Sequence, residues 1–323
     1  MMKKGTVQEE LYDGKTLKAA LQEAQQNVEA HIDELNLLNV FPVPDGDTGI
    51  NMFLTLKSAN DAVEKVNTDS AATVSAVAAR GALLGASGNS GVILSQILRG
   101  MAKAMEMKER FSCIHFAEAL QSAAEMARRA VTNPVEGTIL TVSREASEVG
   151  MKMAKKGASL KQTMMAVVSQ AKRSVKRTPE LLPQLREAGV VDAGGQGLFY
   201  VFQGMSNYIS EKVGKTKERL DVSRSFEAQS PDQTYGFDLQ FLIRGKDLPL
   251  FEIRTEIETM GESVIVVGDD HLIRVHVHAS RPDDVLKYAG NFGRVTDVEN
   301  QNMDEQVARF KKSQEEKDSP RLS

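Results

Sequence analysis

The sequence predicts a multidomain protein with an all-helical first domain, residues 1–210, followed by a small α+β domain, residues 235–310. Three observations predict this. Apolar residues recur at three- and four-residue spacing as far as residue 210. Residues 211–234 are polar, mixed in charge and without such a period, as is typical of a linker. Beyond them, short alternating runs predict strands. The polar tail, residues 311–323, is expected to be disordered.

The helical domain opens with a long amphipathic helix, predicted over residues 15–38. Its apolar face consists of Leu17, Leu21, Ala24, Val28, Ile32, Leu35 and Leu38. Further helices are predicted at about 50–65, 72–85, 90–106, 115–131, 138–156, 159–176 and 195–210. Because polar or glycine-containing breaks separate them, the loops are expected at the ends of a helical bundle.

The second domain alternates between strand and helix patterns. Strands are predicted at 236–243, 263–267, 272–278 and 294–299, and helices at 248–260 and 282–290. The order strand, helix, strand, strand, helix, strand is typical of a ferredoxin-like domain.

Composition restricts the functional class. The net charge of -4 and the absence of tryptophan argue against a nucleic-acid-binding protein, which would need a basic face. Cys113 is the single cysteine, so an intrachain disulfide is excluded and a reducing cytoplasm is expected. No stretch approaches the roughly 20 apolar residues of a membrane span, so no integral membrane segment is expected.

The segment NVFPVPDGDTGIN, residues 39–51, gives the strongest indication of function. Asp45 and Asp47 flank Gly46 in a turn that two prolines keep out of a helix, so both carboxylates can face one point. Such hard oxygen ligands suit magnesium, which often binds together with nucleotide phosphates. The N-terminus of the following helix favours phosphate as well. The alternative is an ordinary surface turn.

A second glycine-rich segment, GALLGASGNSG at residues 81–91, joins two predicted helices. Asn89 or Ser90 can cap the second helix, and its small neighbours allow the backbone to approach a phosphate. The alternative is a plain helix cap with glycines for packing. No segment matches the Walker pattern GxxxxGK[ST], so ATP would have to bind in another architecture.

Two more loops carry polar residues at helix starts. Thr138 follows Glu136 and Gly137, and Asp192 precedes a glycine-rich helix entry. Capping explains each of them alone. Four such loops on one bundle favour a shared ligand site.

His276 and His278 are two residues apart on a predicted strand, so both imidazoles point to the same face. With Asp238 on a neighbouring strand they could form a zinc site. The alternative is a set of polar residues on a solvated sheet face.

With these segments in this order, the chain resembles the ATP-binding subunits of bacterial fatty acid kinase. Their first domain is related to the L-type (DAK2, DhaL-like) domain of dihydroxyacetone (glycerone) kinases. The resemblance rests on LNLLNVFPVPDGDTGIN, GASGNSGVILSQILRG, NPVEGTILTV, TPELLPQLREAGVVDAGGQGLFYVFQGM, YGFDLQF, VGDDHLIRVHVH and NQNM. It implies an all-α eight-helix barrel with ATP and two magnesium ions at its rim, followed by an α+β middle domain.

The resemblance also implies roles for individual residues. Magnesium would be held by Asn39, Asp45 and Asp47, of which the two aspartates are the catalytic residues. The nucleotide and its phosphates would be bound by Thr48, Gly49, Asn51, Gly88, Asn89, Ser90, Gly91, Thr138, Asp192 and Gly194. Zinc would be held by Asp238, His276 and His278, although the family often has cysteine at the first of these positions.

The chain departs from the family pattern at Ile50, where threonine is usual, and at Ser87, where arginine is usual. It also ends soon after the middle domain, where family members continue into a domain that engages a fatty-acid-carrying subunit. The expected function is an ATP-dependent phosphotransferase subunit that transfers the γ-phosphoryl group to a fatty acid carboxylate presented by a partner protein. The alternatives are a catalytically inactive nucleotide-binding interaction module and a glycerone-type kinase subunit. A homodimer is left open.

Overall fold

The computed structural model describes residues 10–210 and 235–318, so the predicted linker at 211–234 lies outside the described residues. The first domain contains eight long helices within its described range. They are α1 (Gly14–Glu29), α3 (Thr48–Glu64), α4 (Ala71–Leu84), α5 (Gly88–Met105), α6 (Cys113–Ala130), α7 (Ile139–Lys155), α8 (Leu160–Leu181) and α10 (Ala193–Ile209). Two short helices, α2 (Ile32–Leu37) and α9 (Pro183–Glu187), lie between them.

Each long helix packs against the next long helix, and α10 packs against α1. Their apolar faces enclose one core, in which Leu35, Met52, Leu94 and Phe116 are almost completely buried. These contacts are those that an eight-helix barrel requires; the barrel itself stays a prediction.

The first predicted helix, 15–38, was wrong in one respect: it is interrupted at Ala30 and His31. The imidazole of His31 stacks on Tyr200 of α10 with 3.8 Å between ring centroids. Its Nδ1 lies 2.7 Å from the carbonyl oxygen of Asn27. Tertiary contacts therefore override the continuous periodicity, and the break turns α2 toward the loop that follows it.

The second domain has the predicted order of strands and helices, which is therefore confirmed. Its elements are β1 (Phe237–Arg244), α11 (Leu250–Ile257), β2 (Glu262–Gly268), β3 (Leu272–Ala279), α12 (Pro282–Ala289) and β4 (Arg294–Asn302). The four strands form an antiparallel sheet in the order β2-β3-β1-β4. This order is compatible with a ferredoxin-like arrangement.

The predicted disordered tail, 311–323, is wrong for residues 311–318, because helix α13 runs from Met303 to Asp318. Residues 319–323 lie outside the described residues. Met303 and Val307 of this helix pack against Val43 of the helical domain. Since these contacts fix its first turns, the helix continues into a segment whose composition alone favours disorder.

The two faces of the sheet have different neighbours. Leu239, Phe241 and Ile243 of β1 belong to the middle domain's own core. On the opposite face, Leu242 and its neighbours on β2 and β3 pack against the helical domain. This interdomain cluster consists of Leu83, Ala86, Val92, Ala130, Leu242, Ile265, Val267 and Leu272. Alternation along the strands thus directs one side of the sheet to the helical bundle. Among the described helices, none is both long and apolar enough to cross a bilayer.

Candidate nucleotide and metal site

The loop containing Asp45 and Asp47 connects α2 to α3 and turns at Gly46, whose φ is +72°. Asp47 occupies the N-cap position of α3, but its side chain makes no capping hydrogen bond in the described structure. Asn36 does this instead: its side-chain oxygen accepts a hydrogen bond from the backbone N–H of Gly49 at 2.7 Å. Helix capping is thereby transferred to α2, and the Asp47 carboxylate lies beside that of Asp45.

Asn39 connects this loop to the rest of the site. Its Nδ2 donates to Asp45 Oδ1 at 2.8 Å and to the Val43 carbonyl at 2.7 Å, and its Oδ1 accepts from the Thr48 hydroxyl. The Thr48 hydroxyl also lies 3.4 Å from that of Ser90. Because both polar atoms of Asn39 contact protein groups, it is placed to orient Asp45. Direct binding of magnesium by Asn39 stays a prediction.

Helix α5 begins at Gly88, with Ser87 at its N-cap position. The prediction that Asn89 or Ser90 caps this helix was wrong, because both residues lie within its first turn. Gly88 has a φ of +58°, and a β-carbon there would meet the side-chain amide of Asn51. The glycine therefore allows the turn that brings the start of α5 against α3.

The middle domain places a row of polar side chains on this turn. Gln240 of β1 accepts a hydrogen bond from the Gly88 N–H at 3.0 Å and donates to Asp238 Oδ2 at 2.9 Å. The side-chain amide of Asn89 lies 3.4 Å from His278 Nε2. The solvated sheet face is thus wrong for Asp238 and His276, which are 5% and 1% exposed.

Acidic side chains of both domains meet at one small cavity. Its volume is about 20 Å³, enough for one water-sized species. The side chains that line it with ligand atoms for a cation are Asp45, Asp47, Asp238, His276 and His278. The ligand atoms of Asp238 and the two histidines lie within 4.8 Å of one another. Two candidate metal sites that are far apart in the sequence are therefore neighbours.

Burial and mutual repulsion make this cluster unfavourable without a cation. Burial, followed by the charge of Asp47, raises the pKa of Asp45 well above its ordinary value. Burial also raises the pKa values of Asp47 and Asp238, and the Asp238 charge adds to the effect on both loop aspartates. A bound cation would reverse each of these shifts. The carboxylate donor set fits magnesium.

The histidines are in a state suited to metal binding. Burial lowers the pKa of His276 to about 3 and that of His278 to about 4, so both imidazoles are neutral at pH 7. His276 Nδ1 lies 3.2 Å from Asp238 Oδ1. Nevertheless, neither ring nitrogen of His276 makes a hydrogen bond within the described chain, and nor does that Asp238 oxygen. Such buried, unsatisfied ligand atoms fit a metal ion.

A larger cavity of about 430 Å³, within the range of small-molecule sites, shares part of its lining with the small one. The predicted nucleotide residues that line it are Thr48, Asn89, Ser90, Thr138, Asp192 and Gly194. The four loops therefore open on one space. Two of these residues also cap helices: Thr138 caps α7, and Asp192 Oδ2 accepts from the Gly195 N–H at 2.6 Å at the start of α10. Burial raises the pKa of Asp192 to about 7.

Three predicted nucleotide residues, Gly49, Asn51 and Gly91, are absent from the lining of these two cavities. A β-carbon at Gly49 would meet the Ile32 carbonyl, and one at Gly91 would meet the Thr55 hydroxyl. The structure thus places both glycines where helices approach closely. Their role in nucleotide binding stays a prediction.

Comparison with known protein families agrees with this architecture. Residues 42–207, half of the chain, match the DAK2 domain. The chain belongs to the DAK2 domain family. Residues 234–310 match a second family, the FakA-like middle domain of fatty acid kinase.

The DAK2 chain also resembles longer proteins. It is 39% identical to Protein YloV of Bacillus subtilis (strain 168) over 312 residues, which is 91% of this chain and 56% of that protein. An uncharacterized protein of Staphylococcus saprophyticus is 36% identical over 307 residues, with the same shares. The chain thus spans about half the length of the curated relatives it matches. A crystal structure of the dihydroxyacetone kinase from C. freundii in complex with AMP-PNP and Mg²⁺ aligns with a TM-score of 0.47 at 15% identity. The alignment covers 64% of this chain and 36% of that one.

Two residues of the DAK2 protein's site escaped the sequence analysis. Gln240 shares a strand face with Asp238, so the alternation that relates His276 to His278 could have indicated it. Asn36 lies in a helix and acts across a loop, at Gly49. No local pattern marks such a contact.

Proposed function

We propose that this DAK2 protein is an ATP-dependent phosphotransferase subunit that binds magnesium and ATP in the two connected cavities. The observation that carries the proposal is the position of Asp45 and Asp47. Their carboxylates border an ion-sized cavity, and Thr48 and Ser90 line both this cavity and the nucleotide-sized one. A metal at the first would therefore be adjacent to phosphates in the second.

Asp45 and Asp47 would hold magnesium, which when bound neutralises charge on the β- and γ-phosphate oxygens. The N-termini of α3 and α5, at Thr48 and Gly88, lie at the same place and favour phosphate through their N–H groups. In phosphoryl transfer most of the catalysis comes from positioning and electrostatic stabilisation. A site built from carboxylates, hydroxyls and helix N-termini therefore suits this reaction without a covalent nucleophile.

The proposed acceptor is a fatty acid carboxylate presented by a partner protein. This is supported by the match of residues 234–310 to the FakA-like middle domain of fatty acid kinase. The test uses γ-labelled ATP with two acceptors: a fatty acid bound to a fatty-acid-binding protein, and dihydroxyacetone. Label in the acyl phosphate supports the proposal, whereas label only in dihydroxyacetone phosphate favours the glycerone-type kinase. ATP binding with no transfer to either acceptor favours the interaction module.

We further propose that Asp238, His276 and His278 bind a second metal, for which zinc is the first candidate. Neutral buried imidazoles and an unsatisfied carboxylate oxygen support it. Metal analysis of protein purified without chelators is expected to find about one zinc per chain, and less in His276→Ala. Metal-free protein, or equal zinc in both proteins, would contradict this assignment.

A further inference from the structure

The middle domain forms one wall of the nucleotide-sized cavity. Its lining residues there are Glu258, which follows α11, and residues 261–265, which enter and begin β2. Strand β2 is an edge strand, because β3 is its one neighbour in the sheet. The wall therefore consists of an exposed strand edge and two acidic side chains, Glu258 and Glu262.

Contacts with the loop after α6 fix the position of this wall. Val131 forms an isolated antiparallel bridge with Ile265. The Thr132 hydroxyl donates to Glu258 Oε1 at 2.9 Å and to the Val264 carbonyl at 3.1 Å. Because Val131 and Thr132 also line the cavity, the wall is joined to the helical domain at the cavity itself.

The strand is irregular where it lines the cavity. Its pairing with β3 shifts in register between Glu262 and Ile265, and Ser263 has a φ of +51°. A bulge of this kind redirects the side chains beside it. At this position it lies between a paired strand and an open cavity.

The charge of the wall indicates which part of a nucleotide it can contact. Glu258 and Glu262 line the large cavity but not the small one, where the candidate magnesium ligands lie. Carboxylates repel phosphates that no metal neutralises. They accept hydrogen bonds from hydroxyl groups, as acidic residues do from ribose in other nucleotide sites. The ribose of a nucleotide is therefore the group they suit.

We propose that the middle domain supplies the nucleoside-binding wall of the site, with Glu258 and Glu262 accepting hydrogen bonds from the ribose hydroxyls of a ribonucleotide. This inference rests on the proposed nucleotide-binding function and adds the domain and the residues that recognise the sugar. Specificity for a ribonucleotide then depends on how the two domains pack.

The test compares the double variant Glu258→Gln, Glu262→Gln with the matched control Glu252→Gln, Glu256→Gln. The control residues lie on α11, are exposed, and are absent from the cavity lining. Both variants remove two negative charges, which by itself would strengthen binding of an anion. Calorimetry is carried out with ATP, 2′,3′-dideoxy-ATP and tripolyphosphate, each with magnesium.

The wild type and the control are expected to bind ATP more tightly than dideoxy-ATP. The double variant should bind ATP roughly ten-fold more weakly, lose that preference, and bind tripolyphosphate unchanged. Unchanged ATP affinity and unchanged sugar preference in the double variant would overturn the inference and leave the proposed function standing. Wild-type protein that binds neither ATP nor tripolyphosphate would overturn both.

Discussion

Replacing Asp45 and Asp47 together by asparagine is expected to abolish magnesium-dependent ATP binding while making the ligand-free protein harder to unfold. The two effects have one cause. Both carboxylates are held at a buried cavity close to Asp238, where burial and mutual repulsion raise their pKa values. Asparagine keeps the shape and can still accept the Asn39 hydrogen bond at position 45. It removes the charges that a cation needs and that destabilise the empty site.

The pH dependence of this stabilisation follows from the direction of the shifts. A carboxyl whose folded pKa lies above its unfolded value, here 3.8, stabilises the fold relative to higher pH. That contribution is fully present below the unfolded pKa and is lost as pH rises through the folded pKa. Magnesium-free wild type should therefore lose stability as pH rises above about 4. The double variant should lose less, and magnesium with ATP should stabilise the wild type alone.

Calorimetry and thermal unfolding over this pH range measure both effects. Loss of two charged ligands from a buried site should weaken binding roughly thirty-fold or more. Asp61→Asn is the control, because Asp61 lies on α3 but is exposed and pairs with Lys57 at 2.6 Å. Magnesium-dependent ATP binding that survives in the double variant would refute the role of these aspartates.

What the sequence could predict depended on whether the signal was local. Periodicity located most helices, and alternation gave the order of strands in the second domain, because both patterns reflect which face of an element is buried. The turn at Gly46 was predictable from its prolines and glycines. The break at His31 was not, since it depends on a stacking contact with Tyr200, far away in the sequence.

The same limit applied to the site. The sequence identified Asp45, Asp47 and the pair His276 and His278 as two separate candidate sites. It could not place them at one cavity, because that requires the packing of one sheet face against the start of α5. The polar contacts that join them, above all that of Gln240 with Gly88, cross the domain boundary. Neither partner of such a contact carries a motif for the other.

Gly46→Ala is expected to have the second largest effect, because Gly46 is constrained in two independent ways. Its φ of +72° is unfavourable for alanine by about 1–2 kcal/mol. A β-carbon at this position would also overlap the ring of Phe310 on α13, and overpacking of this kind costs about 1–3 kcal/mol. Since Gly46 separates Asp45 from Asp47, relief of the overlap must move one or both carboxylates.

A matched control separates the two constraints. Gly189 has a φ of +64°, and a β-carbon there meets no atom within 4 Å, so Gly189→Ala carries the backbone cost alone. We expect Gly46→Ala to lower the free energy of unfolding by more than Gly189→Ala does. It should also weaken magnesium-dependent ATP binding roughly ten-fold, equivalent to about 1.4 kcal/mol, whereas the control should leave binding unchanged.

The contact with Phe310 can be tested directly by a double-mutant cycle. If the overlap is the cause, Phe310→Ala should cost the wild type packing energy but cost much less in the Gly46→Ala background, because the ring is then the source of strain. Binding should recover in the double variant as far as the loop returns to its position. Additive effects of the two substitutions would instead mean that α13 does not set the position of the aspartates. A non-additive result would make the last helix of the middle domain part of what holds the magnesium loop in place.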